Sequence, residues 1–341
     1  MSNQLLDTIP ADRRETARTA LTIALGTTPV TALQPVGGGA SGALIYRVDT
    51  GERSYLLRME TRRGPLRNPH QYTCMQTAAD AGVAPPLVHV DPDAGVAIMS
   101  FLAQHPLSEY PGGPAILARD LGRLVARLQA TPVFPHLMDY LDTLDRMLGY
   151  VRRSTVFVPG LLDPHYEGFE RIRDAYPRDA SSSVSSHNDP NPRNIIFDGE
   201  RLWLVDWETA YRNDPLTDVA ILVDNLAAAP ELQDILLHAW LGRAPDRLLR
   251  ARLVLMRQLT RLYYAALGFT FFASVPRTTP PDPALDALTP EQFRTAIASG
   301  RLQPTGPETL FTLGKMCLAG FRAGLGTPEF EDALLVARRG S

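Results

Sequence analysis

The run Ser186-His187-Asn188-Asp189-Pro190-Asn191-Pro192-Arg193-Asn194 brings more chemistry into a short span than any other part of the chain. It leads into Ile195-Ile196-Phe197, an Asp198-Gly199 pair, and Leu202-Trp203-Leu204-Val205-Asp206-Trp207-Glu208. Short apolar runs on either side of Asp-Gly predict a β-hairpin. With a loop of about four residues, Asn194 falls opposite Val205 and beside Asp206, so an amide and a carboxylate arrive at one end of a small sheet. Asp189 lies just upstream, in a loop that Pro190 and Pro192 stiffen by fixing φ. Such a set suits phosphoryl transfer, where protein groups mainly position and neutralise. Asn194 and Asp206 offer hard oxygen ligands for Mg2+, and Asp189 can orient an attacking hydroxyl or accept its proton. His187 reads as a structural post for the loop.

His187-x-Asp189-x-x-x-x-Asn194 followed by a strand-borne Asp206 resembles the catalytic loop and metal-binding aspartate of the protein-kinase-like fold. Asn188 in place of arginine, and Asp206-Trp207-Glu208 in place of Asp-Phe-Gly, resemble its small-molecule branch, the aminoglycoside phosphotransferases and choline/ethanolamine kinases. The continuation Tyr211-Arg212-Asn213-Asp214-Pro215-Leu216-Thr217-Asp218-Val219-Ala220 is similar to that branch as well. There the aspartate at the position of Asp218 opens a helix and supports the catalytic loop.

These residues need a scaffold. Residues 12–26 read as a leading helix ending at a glycine. Next come Val36-Gly37-Gly38-Gly39-Ala40-Ser41-Gly42, a strand at 44–48, a turn at 49–52 and a strand at 55–59. Gly37, Gly39 and Gly42 formally satisfy G-x-G-x-x-G, with Glu60 near the place of a ribose-binding acid. A dinucleotide fold needs a helix directly after the glycines, and the hairpin leaves no room for one. A glycine loop between antiparallel strands instead lets backbone amides approach nucleotide phosphates.

The resemblance implies that Gly37, Gly38, Gly39 and Ser41 cover the phosphates of ATP, and that a cation on the following strand meets the α- and β-phosphates. Arg58 is that cation here, able to pair with phosphate bidentately. The family pattern places a glutamate near the start of the next helix, read at 69–82. By spacing the nearest residue is Gln71, which can hydrogen-bond an arginine but not neutralise it, and Glu60 stands as the alternative source of charge. Strands at 83–90 and 95–102 follow, and the resemblance makes Ser100, Phe101 and Leu102 the hinge whose backbone meets the adenine. Helices are expected at 115–129, 138–151, 166–176, 219–228, 231–241, 245–259, 261–272, 308–324 and 328–338. Thr289-Pro290-Glu291 reads as a helix start.

Composition bounds the rest. The 341 residues carry a net charge of -3, are 45% hydrophobic and 21% charged, and suffice for about two lobes with cores. The balance gives no global reason to expect nucleic acid. Cys74 and Cys317 make neither a disulfide framework nor a zinc site. No apolar run approaches the ~20 residues of a membrane span, and the first ten residues lack a secretory pattern, so a cytoplasmic enzyme is expected. Lys315 is the only lysine among 34 basic residues.

The expected fold is α+β and bilobal, protein-kinase-like. Residues 1–102 form a nucleotide-binding antiparallel lobe, and residues 103–341 a helical lobe with the catalytic loop and acceptor cleft. The expected activity transfers the γ-phosphate of ATP, with Mg2+, to a hydroxyl of a small, cationic molecule of the choline/ethanolamine kind. Aminoglycosides are the alternative acceptors, and a nucleotide-binding pseudokinase or scaffold the alternative of another class. Glu208, Asp224, Tyr263 and Tyr264 are the acceptor candidates, since carboxylates and rings hold cations. The other aromatics of 261–272 read as core. No partner beyond nucleotide and acceptor is implied.

Overall fold

The computed structural model describes residues 3–37, 43–61, 68–276, 280–304 and 306–339. Gly37 is described, whereas Gly38, Gly39 and Ser41 of the expected phosphate loop lie outside the described residues. The chain begins with α1 (Arg14–Leu25), which ends at Gly26 with a φ of 58° that favours glycine. Then come β1 (Val30–Pro35), β2 (Leu44–Thr50), β3 (Ser54–Met59), α2 (Gln71–Asp80), β4 (Leu87–Asp91) and β5 (Val96–Ser100). The strands make one antiparallel sheet in the order β1-β2-β3-β5-β4.

The remainder is mainly helical: α3 (Gly113–Gln129), α4 (Tyr140–Arg153), α5 (Asp163–Ala175), β6 (Val184–Ser186), β7 (Ile195–Phe197), β8 (Leu202–Leu204), α6 (Leu216–Leu226), α7 (Pro230–Leu241), α8 (Arg247–Ser274), α9 (Pro290–Ala298), α10 (Pro307–Gly324) and α11 (Pro328–Arg339). This is the α+β class expected from the sequence. The chain parts into two compact units. One holds Met1–His136, Val184–Arg212 and Asn225–Gly242; the other holds Leu137–Ser183, Asn213–Asp224 and Arg243–Ser341. Position 102/103 thus falls inside the first unit, which gathers α3, α7 and the β7–β8 hairpin with the sheet.

In the first unit, strand alternation decides what each side chain meets. Tyr46 and Val48 of β2, Leu57 and Met59 of β3, and Val96 and Ile98 of β5 share one face, buried with Ala17, Ala20 and Leu21 of α1. Ile45, Leu56, Arg58 and Met99 take the other face and line a cavity. Arg58 therefore points away from the core because its two neighbours point into it. Helix α2 is tethered by Asn68, whose Nδ2 donates to the Ala210 carbonyl at 2.6 Å while its Oδ1 accepts from the His70 N–H. Helices α3 and α7 cross closely at Gly122.

The second unit is organised on α8. Residues 245–259 and 261–272 run within one 28-residue helix, capped by Asp246 accepting from the Leu249 N–H. No breaker interrupts it; Thr260 is buried and donates back to the Arg257 carbonyl. Helices α4, α10 and α11 pack along it. Phe157, Phe269 and Phe311 form an edge-on and stacked cluster in which Phe269 takes the expected core role, whereas Phe271, on the outward side of the same helix, is exposed. Lys315 is a structural residue, paired with Asp282 at 2.6 Å. Thr289 opens α9 with the expected cap, here a full capping box with Gln292.

The close crossing yields a test in the first unit. A Cβ at Gly122 would press on the Leu236 carbonyl oxygen, whereas at Gly149, inside α4, it would meet only the tip of Arg153. Gly122→Ala is expected to destabilise by about 1–3 kcal/mol, despite a helix-propensity gain of about 1 kcal/mol that Gly149→Ala should show alone. Denaturant midpoints of the two variants check both signs.

Candidate active site

The hairpin forms as expected. Ile195, Ile196 and Phe197 pair with Leu204, Trp203 and Leu202, leaving Asp198–Arg201 as a four-residue loop. Asp198 organises that loop by accepting from the N–H groups of Glu200 and Arg201 and from Trp203 Nε1. At the open end the Val205 N–H donates to the Asn194 carbonyl at 3.0 Å. Asn194 and Asp206 consequently meet at one edge, and both line a cavity of about 260 Å³.

Asp189 is held on this edge by two amides. Asn194 Nδ2 donates to its Oδ2 at 3.1 Å and to its backbone carbonyl at 2.9 Å, and Asn191 Nδ2 donates to its Oδ1 at 2.8 Å. Asn191 also accepts from the Arg193 N–H, which opens the turn carrying Asn194. This role escaped the sequence reading, although the Asp189-Pro190-Asn191-Pro192 run was its signal. Because Asn194 spends its Nδ2 on Asp189 and its backbone carbonyl on the Val205 N–H, its side-chain Oδ1 is the oxygen offered to a cation.

Among the described residues, Asn188 and Asp206 are the non-glycine residues with positive φ, at 64° and 66°. Such backbone is sparsely populated and persists where surroundings overdetermine it. The Asn188 amide supplies part of that determination, donating to the Thr209 and Tyr211 carbonyls at 3.0 and 3.2 Å. His187 supplies more. Its ring is fully buried, edge-on to Trp207, with Nε2 2.9 Å from the Val205 carbonyl. Burial pulls its pKa down to about 4, so near neutrality the ring is uncharged and Nε2 is the donor. His187 is the post the sequence suggested.

Electrostatics define the cavity floor. Arg58 lies 3.8 Å from Glu60, 3.7 Å from Asp206 and 3.6 Å from Glu208, at ion-pair but not hydrogen-bond separation from each. Burial pushes the Asp206 pKa above the usual carboxylate range against the pull of Arg58. Glu208 rises too, first by burial, then through Asp206, Asp189 and Glu60, with Arg58 opposing. Asp206 Oδ1 is buried with no hydrogen-bond partner. A buried carboxylate oxygen left unbonded among like charges fits a cation ligand. Among the described residues no three His, Cys, Asp or Glu side chains form a closed metal cage. Magnesium does not require one, since it binds through one or two protein oxygens plus phosphates and waters.

The other expected residues divide. Gly37, Ser100 and Leu102 line the cavity, with Gln71, Tyr72 and Met75 of α2 opposite the strand face. The N–H groups of Ser100 and Phe101 are already bonded to the Pro86 and Ser54 carbonyls. Phe101 lies under the Arg47 guanidinium instead. Glu208 joins the cluster through Arg58. Asp224, in the second unit, is held by Arg257 Nε at 2.6 Å and by both arms of Arg261 at 2.7 and 2.8 Å, which spends its charge. Tyr263 stacks on Tyr140 and meets Tyr264 edge-on within the same unit. Cys74 and Cys317 are free, and burial raises their pKa to about 12 and about 11. No helix among the described residues is long and apolar enough to cross a membrane.

The chain is similar to known proteins. The sequence model of the phosphotransferase enzyme family matches residues 32–251, more than half of the chain. Protein LicA of Haemophilus influenzae is 37% identical over 54 residues, 16% of this chain and 20% of that protein, so the chain spans about a fifth of the length of this curated relative. A choline/ethanolamine kinase family protein from Mesorhizobium loti superposes with a TM-score of 0.68 at 23% identity, covering 95% of this chain and 99% of that one. A spectinomycin phosphotransferase, solved in complex with ADP and spectinomycin, superposes with a TM-score of 0.55 at 12% identity over 95% and 97% of the two chains. At these identities the structural likeness is one of fold, which is kinase-like.

The buried imidazole makes a pH test. The unfolded chain protonates His187 below about 6.5, while the folded protein resists until about pH 4. Its contribution is therefore intact above pH 6.5 and lost as the pH falls through that window, at up to about 1.4 kcal/mol per unit. Denaturant unfolding from pH 7.5 to 4.5 should show a shallower decline for His187→Gln than for the parent; equal slopes would remove His187 from the account.

Proposed function

The chain belongs to the phosphotransferase enzyme family, and we propose that it transfers the γ-phosphate of ATP to a hydroxyl of a small, cationic acceptor of the choline/ethanolamine kind. The observation that carries the reading is the convergence in one cavity of a permanent cation, Arg58, with Asp206 and with an Asn194 that orients Asp189. Residues 1–102 then serve as the nucleotide-binding lobe, and residues 103–341 carry the catalytic loop and acceptor cleft.

In this reading Arg58 pairs with phosphate oxygens bidentately, as a guanidinium not hydrogen-bonded to its three carboxylate neighbours can. The apolar wall of Ile45, Leu56 and Met99 packs the base. Its edge falls to the Leu102 N–H and the Ser100 carbonyl, because the Ser100 and Phe101 N–H groups are committed elsewhere. Gly37, Gly38, Gly39 and Ser41 cover the phosphates. Asn194 and Asp206 would hold Mg2+, which when bound offsets charge on the transferring phosphoryl group. Asp189 orients the acceptor hydroxyl and takes its proton as the new oxygen–phosphorus bond forms and the bond to the ADP oxygen breaks. Two amides keep its carboxylate aimed without neutralising it.

The carboxylate excess favours a cationic acceptor. Glu208 is the most exposed acid of the cluster, with 46% of its side chain accessible, and is the acceptor-side residue in this reading. Asp224 is set aside because two arginines occupy it. Tyr263 and Tyr264 stay candidates as paired rings for an ammonium group. An aminoglycoside acceptor carries the same sign of charge, and the likeness to the spectinomycin enzyme keeps it as the second reading. A binder without turnover drew its support from an Arg58 lacking an acid, and three acids stand beside it.

The test is ADP formation from Mg-ATP across choline, ethanolamine, aminoglycosides and simple sugars. Release dependent on one acceptor class is expected, and Asp189→Ala should lower kcat about 10²–10⁴-fold while moving the KM for ATP little. A variant as fast as the parent would contradict the role of Asp189, and acceptor-independent silence with retained nucleotide affinity would return the binder.

A further inference from the structure

We propose that Glu60 is the positioning residue for Arg58, so that the acid holding the phosphate-binding cation stands at the end of a strand and not on helix α2. The inference rests on reading the cavity as the nucleotide site. A cation that must meet phosphates needs a partner that nothing else in the reaction claims. Of the three acids around Arg58, Asp206 is the one a metal would take, and Glu208 is nearly half exposed. Glu60 differs from both, because its side chain is 10% exposed, the same as that of Arg58.

Strand geometry explains the match. Residues 58 and 60 are two apart, so they leave the chain on the same side. The Glu60 N–H donates to the Gly95 carbonyl at 2.9 Å, which extends the β3–β5 pairing one residue beyond the strands. Its side chain then lies over Gly95, where an added Cβ would stand 3.3 Å from Glu60 Cβ and 3.4 Å from its Oε2. Gly95 has a φ of 67°, so glycine serves both the turn and the room for the carboxylate. Gln71, the first residue of α2, is buried and lines the same cavity as Arg58. It is neutral, and the balancing charge at this wall is supplied by the strand.

Glu60 has a consequence for metal binding. Without it, Arg58 has, among the described residues, Asp206 and Glu208 to turn to, and an arginine settled on Asp206 competes with a cation for that carboxylate. With it, Arg58 keeps an acidic partner after Asp206 is claimed. Phosphate affinity should then depend on Glu60, whereas affinity for the base and ribose should not.

The experiment is calorimetric measurement of Kd for ATP, ADP and adenosine, with Mg2+ in excess, on the parent, Glu60→Gln, and Glu60→Gln combined with Gln71→Glu. Glu60→Gln is expected to weaken ATP and ADP about tenfold and to leave adenosine within about twofold. The double variant should regain a good part of the ATP affinity, since it returns a carboxylate to the same wall from the helix. Unchanged ATP affinity, or equal losses for ATP and adenosine as a packing defect would give, overturns the proposal. Glu60→Met carries the same comparison if Glu60→Gln does not fold. These readings need no acceptor: selective loss of nucleotide affinity without turnover on any acceptor would reject the proposed reaction and leave Glu60 in its role.

Discussion

One guanidinium among a group of carboxylates sets the terms of this site. Glu60, Asp206 and Glu208 all stand within 3.8 Å of Arg58, and Asp189 adds its field to that on Glu208. Like charges brought together out of bulk water repel, and burial penalises each further. Burial raises the pKa of Asp206 and of Glu208, and at Glu208 the neighbouring carboxylates add to the rise. A protein selected for stability alone would remove one of these acids. In the proposed function a cation completes the surface these acids make, and phosphates carrying that cation complement both the acids and the arginine.

The surrounding structure holds that arrangement in place. Two residues with left-handed backbone, Asn188 and Asp206, are fixed by side-chain bonds to the 209–211 segment and by a buried imidazole on the Val205 carbonyl. The β7–β8 hairpin sets the spacing of Asn194 and Asp206, and strand alternation turns Arg58 toward them. Together they keep charged groups a few ångströms apart without letting them collapse into hydrogen-bonded pairs, which is the preorganisation electrostatic catalysis requires.

Much of this was legible before any coordinates. The Asp-Gly pair between short apolar runs announced the hairpin and its four-residue loop, and residue order alone put Asn194 beside Asp206. Two matters were not legible for physical reasons. Tyr55-Leu56-Leu57-Arg58-Met59 is apolar on both faces, so no periodicity says which way Arg58 points; the register against β2 and β5 decides it. The partner of Arg58 was sought first on a helix by spacing, with Glu60 as the alternative; only the fold brings Asp206 and Glu208 as well as Glu60 within 3.8 Å of it. Asp224 is a third lesson. Its acid was visible, but Arg257 and Arg261, one turn apart on α8, form a clamp that only the fold brings to it.

In the proposed function Asn194 and Asp206 hold the cation that comes with a nucleotide. Anomalous diffraction from crystals grown with Mn2+ and a non-hydrolysable ATP analogue tests it most directly. A peak is expected about 2 Å from an Asp206 carboxylate oxygen and Asn194 Oδ1, with Arg58 on the phosphates and still beside Glu60. A nucleotide bound with its metal away from Asp206, or an Arg58 that remains on Asp206 while the phosphates lie elsewhere, would contradict it.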